Sequence, residues 1–131
     1  MSTIFGKIIR GEIPCHKIAE NEKFLAFLDI MPLAKGHVLV IPKKEVDYIF
    51  DLDDETLGEL TIYSKKIAKA IEKAIPCKKV GIAVIGLEVP HAHIHLIPLQ
   101  NVSDINFEKP KLSLPPEELK AIAEKIKSNI S

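Results

Sequence analysis

The chain carries no surplus of charge, only two cysteines and no long apolar run, and each shortage excludes something. Its 18 Lys and Arg balance 18 Asp and Glu over 131 residues, so it lacks the basic excess that a nucleic-acid or anionic-membrane surface requires, and neither partner is expected. Cys15 and Cys77 lie far apart and form no Cys-x-x-Cys pair, which is too little for a disulfide framework; both are expected as free thiols. No segment approaches the roughly 20 apolar residues of a bilayer span. The first residues, Met1 to Lys7, lack the charge, apolar core and cleavage site of a secretory leader, so a cytoplasmic location is expected. Internal repeats and low-complexity tracts are also missing, and the length sets a single domain, 1–131, around one core.

What the chain does have is Val89-Pro90-His91-Ala92-His93-Ile94-His95-Leu96-Ile97-Pro98. A strict period of two predicts a half-buried β-strand over these residues, with all three imidazoles on one face. On a helix, His91 and His95 would meet but His93 would point away. One histidine would pass as a polar filler of an exposed strand face. Three of the chain's five at alternate positions point to function, because His changes charge nearest neutral pH and is the commonest metal ligand.

Three chemistries use such a cluster. A zinc site takes imidazoles at alternate strand positions plus a further ligand, for which His37 is available. A nucleophilic site needs one neutral imidazole, oriented through its other ring nitrogen, beside a second that donates. A general acid–base pair needs two. Spacing leaves all three open.

Elsewhere the sequence predicts a short amphipathic helix over residues 4–10 closed by Gly11, then strands over 15–19 and 24–28 joined by a polar hairpin turn. A loop with Pro32 and Gly36 leads to a strand over 37–41 that Pro42 stops. Residues 53–75 form a long helix, with Leu57, Leu60, Ile67, Ile71, Ala74 and Ile75 at three- and four-residue steps, acidic residues at its start and Lys73 at its end. A strand over 79–85 precedes Gly86 and the histidine strand. Residues 101–114 read as a polar connector, and from Pro115 a last helix carries Leu119, Ile122, Ile126 and Ile130 as one stripe. The order gives an α+β fold: an antiparallel sheet of about five strands with a long helix packed on it, helices to one side, and a short N-terminal and an extra C-terminal helix. Read alone, Asp29 is a turn former and His37 a strand-end residue, while Phe5 and Ile8 read equally as part of a lid or as core.

Four stretches in order, Ile4 to Pro14, Leu25 to Ile30, Gly36 to Lys43 and the histidine run, resemble the histidine-triad (HIT) family of nucleotide hydrolases and transferases. They are most similar to its Hint branch, which acts on purine nucleoside phosphoramidates. The likeness spans about residues 3–99. It implies that His93 attacks the α-phosphorus to give a covalent nucleotidyl-histidine that water resolves to release AMP. By the same resemblance His95 binds phosphate oxygens, and His91 and His37 orient the nucleophile. It implies that Asp29 binds the ribose, that Ile30, Phe27, Phe5, Ile8, Leu39 and Val89 line the purine pocket, and that two copies form a homodimer. No cofactor or metal is implied. Some relatives hold a structural zinc on a cysteine pair and a histidine, but this chain has Thr3, Gly6 and Glu45 at those positions.

One stretch departs from the family pattern. Ile85-Gly86-Leu87-Glu88-Val89 is shorter than the usual glycine-rich loop and offers no Asn, Gln or Ser for phosphate or the leaving group. Glu88 would repel phosphate if it faced the pocket. The natural leaving group, P–N or P–O, is therefore open, as are a dinucleoside polyphosphate hydrolase or nucleotidyl transferase of the same fold. Two rivals from other classes are a zinc hydrolase using His37, His91, His93 and His95, and a nucleotide-binding protein without catalysis.

Overall fold

The computed structural model describes residues 3–130. Helices α1, α2 and α3 cover Ile4–Ile9, Asp54–Ala74 and Pro116–Lys127, and strands β1 to β5 cover Lys17–Glu20, Phe24–Leu28, Val38–Pro42, Lys79–Ala83 and Ile94–Leu99. The strands form one antiparallel sheet in the order β1-β2-β3-β5-β4. Strands β2 and β3 are buried at every position. Both their faces are covered, which explains near-continuous apolar sequences rather than alternating ones.

One face packs on α2 and α3. Phe24, Ala26 and Leu28 of β2, Val38 and Val40 of β3, and Ile94 and Leu96 of β5 meet Leu60, Ile67 and Ile71 of α2 and Leu119, Ala123 and Ile126 of α3. Leu60, Ile67 and Ile71 are fully buried, each worth about 1.5–3 kcal/mol of apolar transfer. The odd positions, Leu25, Phe27, Leu39 and Ile41, form a second cluster with Phe5, against which Ile8, Ile9, Cys15 and Val89 pack. Helix α1 thus sits on the face opposite α2 and α3, so the helices are not all on one side. Cys15 and Cys77 are free.

Several boundaries differ from those expected. The first strand begins at Lys17 rather than at residue 15, and its register slips between Lys17 and Ala19. This outer strand is also charged: Lys17 bonds Glu20 at 2.7 Å, and Lys43 reaches the other Glu20 oxygen at 2.7 Å. Pro42 lies inside β3 rather than beyond it. It pairs with Phe24 on one side, while β5 pairs only with Val38 to Val40 on the other, so the missing N–H leaves no ladder bond unmade.

The histidine strand is shorter than the motif. β5 begins at Ile94, and upstream of it the Ala92 N–H bonds Val46 O at 2.7 Å instead of continuing the ladder. Ala92, Ile94 and Leu96 still point into the helix-side core, so the alternation of faces extends past the end of the pairing. The strand over 79–85 likewise stops at Ala83.

Gly36 turns the chain into β3 at φ +96°, and a Cβ there would come within 2.9 Å of Ile75 Cγ1 and 3.2 Å of Pro98 Cγ. Gly36→Ala combines an unfavourable backbone region with a packed neighbourhood, and is expected to cost about 1–3 kcal/mol. Gly58→Ala, in open space on α2, should instead add about 0.5–1 kcal/mol. Thermal melts of both variants check this, and an unchanged or raised Tm for Gly36→Ala would refute it.

Candidate active site

The four histidines named from the sequence converge on the α1 face of the sheet, and all are at most 8% exposed. Which nitrogen of each ring carries a proton follows from the fixed groups around it. The Leu33 backbone N–H lies 3.0 Å from His37 Nδ1, so that nitrogen must accept. Neutral His37 then carries its proton on Nε2 and donates it to His95 Nδ1, 3.0 Å away. His95 is left with an N–H at Nε2.

His93 is set the opposite way. Its Nδ1–H donates to the His91 backbone carbonyl at 2.7 Å, which leaves Nε2 with a free lone pair. His91 in turn donates from Nε2 to Pro42 O at 2.8 Å, and its buried Nδ1 has no partner among the described residues. The His93 and His95 rings lie 4.8 Å apart. The site therefore offers a lone pair beside an N–H donor, the pairing that nucleophilic attack on an anionic centre requires.

Burial keeps these rings neutral. Desolvation, helped by the neighbouring His95, Lys111 and His93, holds His37 down to about 3. Desolvation with His93 and Lys111 holds His95 to about 4. His93 is also lowered, chiefly by burial, against the opposing pull of its bond to the His91 carbonyl and the charge of Glu88.

Asp29 stands at the end of β2 with one oxygen accepting from Met31 N at 2.9 Å, as a turn former does, and the other 3.7 Å from His37 Nε2. Burial raises its carboxyl above the usual range. The turn and site readings of Asp29 are thus compatible. Phe5 places its ring edge-on to His93 at 5.0 Å and to Phe27 at 5.6 Å. Phe27, Leu39, Ile8 and Val89 share that apolar cluster. Ile30 does not join it and is 61% exposed.

The four-histidine zinc set is not assembled: among the described residues His91 and His93 do not join the group whose donor atoms gather closely enough to hold a metal ion. A different trio, Asp29, His37 and His95, brings its donor atoms within 4.8 Å of one another, but a metal ion would compete there with the His37–His95 hydrogen bond. Thr3, Gly6 and Glu45 do meet near α1: Thr3 Oγ1 caps the helix by accepting from Gly6 N at 2.9 Å, and Glu45 lies where a side chain at Gly6 would project. They offer one carboxylate and no thiolate, which does not fit a structural zinc.

Sequence reading missed the connector. Phe107 lies edge-on to His95 at 4.6 Å and to His37 at 6.2 Å, and Leu112 N–H donates to Pro32 O at 2.8 Å, so the segment folds back over the histidine face. The signal was present: Phe107 is the sole aromatic after Tyr63, and it sits in an otherwise polar stretch.

The HIT domain model matches residues 10–102. The chain is 41% identical to the adenosine 5'-monophosphoramidase hnt1 of Schizosaccharomyces pombe over 99% of each chain. Among solved structures it is similar to a HIT-like protein from Bartonella henselae, with TM-score 0.84 and 36% identity over 98% of this chain and 96% of that one. It also matches a zinc-bound histidine triad family protein from Mycobacterium smegmatis, with TM-score 0.82 and 28% identity over 99% and 94%. With its four histidines inside the matched region and both its sequence and its fold shared along nearly the full length, the chain belongs to the HIT family.

Proposed function

We propose that this HIT-family protein is a nucleotide hydrolase that cleaves the bond to the α-phosphate of a purine nucleoside phosphoramidate through a nucleotidyl-His93 intermediate, releasing AMP. The observation that carries this reading is the free Nε2 lone pair of His93 beside the Nε2–H of His95. The full-length likeness to an adenosine monophosphoramidase supports the substrate class.

His93 Nε2 bonds to phosphorus as the P–N bond breaks, and the leaving nitrogen departs as the amine with a proton taken from solvent. The ring, now cationic, keeps its Nδ1–H on the His91 carbonyl, an acceptor suited to that charge. Water then attacks phosphorus, gives up a proton, and frees AMP and neutral His93. His95 Nε2–H stabilises the phosphoryl oxygens in both steps, and His37 holds His95 in the tautomer that can donate. Asp29 has lone pairs left for ribose hydroxyls, and Phe5 with Ile8, Phe27, Leu39 and Val89 forms the apolar wall for the base.

The same proposal includes a homodimer built on β4. This strand lies at the sheet's edge with Ile82 exposed, and Val84 and Ile85 are exposed just beyond its end. Beside it an apolar groove of about 620 Å³ runs past Tyr48, Phe50 and Leu57, backed by Ala92 and Ile94 on the face away from the imidazoles. An open edge with an apolar groove is a surface that a second copy covers.

Three outcomes are expected. His93→Ala should lower turnover of an adenosine phosphoramidate by at least about 10³-fold, in chelator, while AMP binding stays within a few-fold; parallel loss of both would overturn the nucleophile assignment. Because His93 must be unprotonated and its pKa is lowered, kcat/KM should be flat through neutral pH and fall only below the ordinary histidine value of about 6.5. A profile still rising above pH 7 would contradict that. Val84→Asp should give monomers in sedimentation at concentrations where the wild type is dimeric, and identical sedimentation of the two would remove the β4 interface.

A further inference from the structure

We propose that Lys111, carried over the site by the connector, is the cation that holds the substrate's phosphate. The assignment rests on the nucleotidyl reading above and names the residue that meets its charge.

The need is electrostatic. The histidines are neutral, the shortened loop supplies no amide or hydroxyl side chain, and its Glu88 acts with a negative field on both His93 and Asp29. A phosphate bound at His93 would face two carboxylates with the His95 N–H as its side-chain donor. In a partly buried cleft that arrangement disfavours an anion unless a cation stands near.

Lys111 is placed to be that cation. Its Nζ donates to Phe107 O at 2.6 Å and reaches Lys109 O at 3.4 Å, so the side chain curls back over its own turn instead of extending into solvent. It stands 6.0 Å from the Phe107 ring, which itself packs on His95 at 4.6 Å. The turn is tied to the loop before His37 through Leu112 N–H and Pro32 O. The positive charge is felt at Asp29, His37 and His95 together. An ammonium has three N–H groups; with two on carbonyls, the third is free for a phosphate oxygen, and the two bonds hold it in advance of binding. The residue lies outside the region matched by the family model, so this device belongs to the connector of this chain.

Calorimetric titration with AMP and with adenosine isolates the phosphate. Lys111→Met should weaken AMP binding about tenfold and leave adenosine within about twofold, while Lys111→Arg restores most of the AMP affinity. Lys109→Met, on the same turn, should bind both ligands as wild type does. Unchanged AMP affinity in Lys111→Met, or equal loss of AMP and adenosine, would overturn the proposal, the latter marking a structural role. Turnover of an adenosine phosphoramidate by the wild type tests the parent reading separately. If AMP binds and depends on Lys111 but no nucleotidyl substrate turns over, the hydrolase reading falls and the phosphate site stands. Wild-type protein that binds neither ligand overturns both.

Discussion

The site depends on backbone groups that cannot change roles. An imidazole is symmetrical enough to donate or accept at either nitrogen, so a cluster of four has many protonation patterns. Leu33 N–H can only donate and the carbonyls of Pro42 and His91 can only accept. These three fixed partners leave one neutral pattern for His37, His95, His91 and His93. The free lone pair at His93 Nε2 is therefore specified by the path of the main chain, through the loop before β3, the end of β3 and the bend before β5.

The same geometry explains why the sheet is built as it is. Pro42 is tolerated within β3 because β5 has not yet joined the ladder there, and the gap lets a ring nitrogen of His91 reach its carbonyl. A β5 paired from Val89 onward would satisfy the backbone more regularly, yet it would spend those carbonyls on strand pairing. Pairing is withheld for five residues so that main-chain acceptors face side chains.

How much of this could be read in advance differs residue by residue. The face of each triad side chain was legible, because alternation of His with Ala92, Ile94 and Leu96 reports direction relative to a core. Whether the backbone had a partner was not, since side-chain periodicity carries no information about a neighbouring strand. Helix α2 was legible to within a residue because charge and apolar spacing agreed at both ends. Ile30 was assigned by its place in a matching stretch, yet it is exposed here. Phe107 and Lys111 were missed because a polar segment interrupted by Pro110 has no period, and its approach to His95 is set by long-range packing.

The two borders of the sheet are treated unequally. β1 presents Lys17 and Glu20 in an ion pair and a break in register, both of which discourage a further strand, whereas β4 presents Ile82, with Val84 exposed just beyond its end. A sheet open at one border only is terminated by a single addition through a two-fold axis, because the joined pair then shows β1 at each end. In the dimer proposed on β4, assembly would thus be bounded by that geometry, and the route to indefinite fibrillar growth would be closed by the strand lying farthest from the proposed interface.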